Sequence, residues 1–176
     1  MTLIDLKNCE LVKHLIEDLD NNADWLCFFV MFSRFEYALK RSTYIIGDEN
    51  KAKADWNKFG KDMKSDFDTQ ANEELKEAKF YLLSNETSPK KQIKNNITKM
   101  LDYRPVESSD DEIHRLINAV KRVRNNLFHG GKFPSPNGPI EDPIRNNKLI
   151  KHSITVLKYF LYSSPIIKRL YEEPLE

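Results

Sequence analysis

The chain has 176 residues, 40% of them hydrophobic and 31% charged, with a formal net charge of +1. That length suits one domain with a real core, and the near-neutral balance excludes a strongly basic nucleic-acid coat; any nucleic-acid contact has to come from a local patch. The longest apolar stretch, WLCFFVMF from Trp25, falls far short of the roughly 18 residues that a membrane span needs. The start, MTLIDLKNCE, has neither the basic nor the apolar region of a signal peptide, so the expectation is a cytoplasmic protein without membrane contact.

Apolar residues recur mostly at spacings of three and four, the mark of amphipathic helices. Residues 3–19 carry such a stripe through Leu3, Leu6, Leu11, Leu15, Ile16 and Leu19. Residues 23–46 are the most apolar, with Trp25, Phe28, Phe29, Phe32, Phe35, Leu39 and Ile46; they predict a central, nearly buried helix ended by Gly47. Further helices are predicted over 51–67 and 70–83. Pro89 and the stretch DYRPVESSDD at 102–111 mark breaks. Ser109 and Glu112 read as a capping box, opening a helix that runs to residue 129. The stretch 130–143 holds four prolines and three glycines and predicts a loop, followed by a last helix over 143–172 that bends before Pro165. The predicted architecture is a single all-α domain over 1–176, an up-and-down bundle of five to six helices.

The two cysteines, Cys9 and Cys27, form neither a disulfide framework nor a zinc pattern and read as small buried residues. His14, His114 and His152 are scattered, and no cluster has metal-ligand spacing, so neither metal nor cofactor is expected. Trp25 and Trp56 read as core.

The stretch RVRNNLFHGG at 122–131 concentrates polar chemistry at the end of the predicted 110–129 helix. Arg124 continues the apolar series 113–117–120, an unusual place for an arginine. Asn125 and His129 are four residues apart and share one edge of the helix. Gly130 or Gly131 can end the helix in the left-handed conformation, and the helix C-terminus favours a protonated imidazole. A guanidinium beside an imidazole suits phosphate chemistry: one holds phosphoryl oxygens, the other exchanges a proton. The spacing alone also fits an ordinary stop signal, with basic residues complementing the helix dipole.

RNNLFHGG resembles the Arg-polar-x-x-x-His motif of HEPN domains, matching at Arg124, Asn125 and His129. The context resembles that family too: a late helix, a Gly-rich loop and one more long helix. SRFEYALKRS at 33–42 is similar to the Glu-x-x-x-Lys-Arg element of some members, matching at Glu36, Lys40 and Arg41. The nearest subgroup in flavour is the Apea-like one. The resemblance implies a HEPN-like helical bundle that dimerises, with a composite site at the homodimer interface. It implies a metal-independent endoribonuclease of a toxin–antitoxin or phage-defence system, with an antitoxin as a possible protein partner. His129 would transfer protons, Arg124 would bind the scissile phosphate and Asn125 would orient the pair. The products would carry 2′,3′-cyclic phosphate ends. One subgroup places a tyrosine two residues after the histidine; Gly131 stands there, which argues against regulation through that side chain. The alternative is a catalytically silent HEPN module that binds RNA, nucleotide or a protein partner; a third reading is a helical scaffold.

Glu36, Lys40 and Arg41 read either as a helix ion pair or as a layer that supports Arg124 or contacts RNA. Lys121, Arg122 and Lys132 flank the motif and could join an RNA-binding patch, as could Lys90, Lys91, Lys94 and Lys99, which otherwise form a solvated face.

Overall fold

Asp55, Asn72 and Asp111 each stand one residue ahead of a helix, and each carboxylate or amide oxygen accepts the N–H three residues on, from Lys58, Leu75 and His114. These caps satisfy donors that a helix start leaves orphaned. They open α2 (Trp56–Thr69), α3 (Glu73–Leu83) and α4 (Glu112–Phe128). The computed structural model describes residues 23–69, 72–99, 101–104, 111–128 and 143–174. The remaining elements are α1 (Ala23–Lys40), α5 (Pro143–Ser163) and α6 (Pro165–Glu172). Two antiparallel hairpins complete them: β1 (Ile45–Asp48) with β2 (Lys51–Ala54), and β3 (Lys91–Lys94) with β4 (Leu101–Arg104).

The protein is mostly helical, with six helices among the described residues. The hairpins depart from an all-α chain. The predicted 23–46 helix stops at Lys40, and Gly47, expected as its terminator, lies inside β1 opposite Ala52. The predicted 51–67 helix begins as β2, and α2 starts only at Trp56. In the β1–β2 turn the Asp48 carboxylate accepts the N–H groups of Asn50 and Lys51. The helix over 112–128 opens on Asp111; Ser109 lies outside the described residues, as do the 3–19 stripe, Cys9, His14 and the loop through residue 142. The last helix does not bend but breaks, since Pro165 starts α6 after Ser164.

α5 is the centre of the bundle. It packs against all five other described helices, and Ser153, Ile154, Thr155, Val156 and Leu157 are buried in unbroken succession. The position expected for α1 therefore belongs to α5. α1 buries Phe28, Phe32, Phe35 and Leu39 but leaves Leu26, Phe29, Val30 and Tyr37 on the surface. Cys27, expected inside, is exposed. Trp56 is buried in the core, and Trp25 packs on its edge with its indole N–H donated to the Asn147 side chain at 2.8 Å.

An aromatic cluster joins α1, α2 and α5. Phe35 stacks on Trp56 with centroids 5.2 Å apart, and Phe59 meets Phe35 and Phe160 edge-on. Phe67 closes the cluster against Phe160 at 5.0 Å. Offset and edge-on geometries set positive ring edges against negative faces, which adds to the burial itself.

Candidate functional site

The motif helix α4 is amphipathic, and its inner face is Ile113, Leu116, Ile117, Val120 and Val123. Arg124 follows one step round and is half-buried. Its guanidinium carbon lies 5.7 Å from the centre of the Phe32 ring, a cation–π contact with α1. Its Nη1 donates to the Asn125 side-chain oxygen at 3.2 Å, and Asn125 is itself exposed. Arg124 thus sits where the apolar stripe meets the surface, with its stem on a ring and its head tied to the neighbouring amide. His129, Lys132 and the glycines between them lie outside the described residues.

Phe32 in turn stacks on Trp56, centroids 5.6 Å apart, and the Trp56 indole N–H donates to Glu36 Oε1 at 3.1 Å. Glu36 therefore connects to Arg124 through two aromatic rings. Lys40, at the end of α1, is half-buried. Arg41 faces the C-terminal end of the chain: its Nη1 pairs with Glu173 at 2.8 Å, and its head lies over the Tyr37 ring. The structure thus joins Arg124, Asn125 and, at one remove, Glu36, and it sends Arg41 elsewhere. Arg34, not singled out in the sequence, donates to the Tyr171 and Glu173 carbonyls and so closes the C-terminal end of α6.

Arg122 and Lys121 flank the motif differently. Lys121 is half-buried. Arg122 turns inward, where its Nη1 donates to the Pro89 carbonyl at 3.1 Å and burial pushes its guanidinium below the usual arginine range. Arg122 thereby fastens the turn after α3. Asn126, only 8% exposed, donates to the Lys90 carbonyl at 3.1 Å, and Arg145 of α5 donates to the carbonyls of Thr87 and Ser88. Four successive carbonyls, 87 to 90, thereby accept from side chains of α4 and α5. Asn126 had a sequence signal, a polar residue three places after buried Val123 on the inner face. Arg145 had none, because its acceptors are backbone atoms.

The lysines of the 89–99 stretch bracket β3, and Lys90, Lys91, Lys94 and Lys99 are all exposed. His114 is half-buried and bonds to Asp111 and to the Asn57 carbonyl; the first of these bonds holds the Asp111 carboxyl down to about 2. His152 lies against the Tyr81 ring, and burial lowers its pKa from the usual histidine value. Among the described residues, no three His, Cys, Asp or Glu side chains gather to hold a metal ion, and no helix is long and apolar enough to cross a membrane.

Comparison with protein families, with curated proteins and with solved structures finds no match to this chain.

Proposed function

We propose that the protein is a metal-independent endoribonuclease of HEPN type that acts as a homodimer, in a toxin or phage-defence setting with an antitoxin as protein partner. The observation that carries the reading is the seat of Arg124. A guanidinium at the end of an amphipathic helix is steadied by a ring and an amide at the border of the surface. Such a head is aimed with little freedom left to lose, which is what holding a phosphate in a fixed pose requires. The motif spacing Arg124–Asn125–His129 and the mostly helical fold support the same reading.

In this chemistry the RNA 2′-hydroxyl is the nucleophile. His129 takes its proton as the 2′-oxygen bonds to phosphorus; the bond to the 5′-oxygen breaks, and that oxygen leaves with a proton. Arg124 binds the phosphoryl oxygens and stabilises the charge that grows on them. Asn125 holds the Arg124 head through its side-chain oxygen. The products are a 2′,3′-cyclic phosphate and a 5′-hydroxyl, and DNA, lacking the nucleophile, is not cut.

The test is RNA cleavage in the presence of EDTA by the wild type, Arg124→Ala and His129→Ala. Cleavage by the wild type with cyclic phosphate ends is expected, falling by at least about a hundredfold in each variant. Wild type that leaves RNA intact, or variants that cut as well as it does, would sink the reading.

A further inference from the structure

A cleft lies between the turn after α1, the face of α2 and the start of α6, well apart in the chain from the Arg124 motif. Its volume is about 440 Å³, within the range that small-molecule sites occupy. We infer that this cleft is a binding site for a small phosphomonoester with a planar apolar body. The inference is independent of the ribonuclease reading.

Three features at the start of α6 suit a phosphate. Ser164 lines the cleft, is only 5% exposed, and makes no capping hydrogen bond with its side chain although it occupies the cap position of α6. The hydroxyl is not sealed off in the core, and a ligand oxygen in the cleft can accept its hydrogen. The first hydrogen bond within α6 runs from Lys168 to the Ser164 carbonyl, so the N–H groups of Ile166 and Ile167 have no helical acceptor. They add the positive end of the helix dipole there.

Arg169, one turn along α6, also lines the cleft; it is exposed, and its guanidinium has no partner among the described residues. Arg41 lines the same cleft and gives Glu173 an Nη1 hydrogen, which leaves other donors of the fork for a second anion. Arginine forks of this kind match phosphate geometry.

The rest of the lining is apolar. Buried Tyr44 and Leu170 and half-buried Met63 offer a surface on which a ring can lie. Asp66 completes the rim; it is exposed, so solvent screens it against an anion. Dianion at one end and ring at the other is the chemistry this lining matches, and inorganic phosphate alone would leave the apolar half empty.

The experiment is calorimetric titration of the full chain at low ionic strength with phenyl phosphate, inorganic phosphate and phenol. Saturable binding of phenyl phosphate is expected, at least about fivefold tighter than inorganic phosphate, with no measurable phenol binding. Arg169→Ala should weaken phenyl phosphate about tenfold or more, and Ser164→Ala about threefold or more. Circular dichroism and melting confirm that both variants are folded; Arg169, being exposed, keeps the test sound if Ser164→Ala unfolds. Absence of phenyl phosphate binding, equal affinity for inorganic phosphate, or full affinity retained in Arg169→Ala overturns the inference.

Discussion

Arg122 and Arg124 are two residues apart on one helix and meet opposite surroundings. A step of two residues turns the side chain about 200°, so one reaches inward to the Pro89 carbonyl while the other lies over Phe32 at the surface. Replacing Arg122 by methionine keeps the apolar stem and strands a buried carbonyl. Urea denaturation should show a loss of about 1–3 kcal/mol. Arg124→Ala removes a ring contact and a surface bond, and should cost less than about 1.5 kcal/mol in the same assay while it abolishes cleavage. Asp111 gives the pH counterpart. Its bond to His114 holds the folded-state carboxyl down to about 2, against an ordinary 3.8. The resulting stability is present above pH 3.8 and is lost as the pH falls from 3.8 toward 2. Asp111→Asn should flatten that part of the acid limb in a plot of melting temperature against pH; an unchanged limb would assign it to other carboxylates.

Among the elements, the helices are legible and the hairpins are not. A helix with one buried face writes its period into the sequence, as Ile113, Leu116, Ile117, Val120 and Val123 do. The strands KAKA and KQIK are four residues each, with few or no buried positions, so no apolar alternation is left to read. What marks the first hairpin is backbone geometry. Gly47 has φ of +128°, and a Cβ built there would come within 1.9 Å of the Lys51 carbonyl oxygen. Gly47→Ala should therefore cost about 1–3 kcal/mol, read by thermal or urea unfolding. Gly60, on α2, is a different case. A Cβ there would sit 2.9 Å from the end of the Ile117 side chain and 3.0 Å from the His114 ring. Those neighbours are flexible tips, and alanine gains about 1 kcal/mol of helix propensity over glycine, so Gly60→Ala should be near neutral. Equal costs at the two positions would contradict this account.

At the scale of the molecule, the sequence points to the wrong helix as the centre. α1 is the most apolar segment, yet one face of it stays in water, while α5 packs against all five other described helices. The reason lies in the hydroxyls. Ser153 donates to the Leu149 carbonyl at 2.7 Å and Thr155 to the Glu74 carboxylate at 3.1 Å, so polar side chains are buried with their hydrogen bonds made. A helix can then be central without being wholly apolar. Phe160 is the test of that centre, since it meets Phe35, Phe59 and Phe67 and is fully buried. Phe160→Ala should cost about 3–5 kcal/mol in denaturant unfolding, and a loss under about 1 kcal/mol would mean that the cluster is not the core. The candidate site was legible in part. Arg124 and Asn125 stand out because charge and amide interrupt an apolar stripe, whereas the ring under Arg124 comes from a distant segment and leaves no local trace.

The clamp on residues 87–90 distributes mutational freedom unevenly. The acceptors are main-chain carbonyls, which every amino acid carries, so the side chains of Ser88 and Lys90 are free to drift without loosening it. The donors enjoy no such liberty: Arg122, Asn126 and Arg145 each supply a hydrogen that few residue types can deliver from the same place. In a library of random variants, tolerated changes should crowd the turn and thin out on the two helices that grip it. The motif helix would thus be kept in register by positions that neither touch a ligand nor carry the motif.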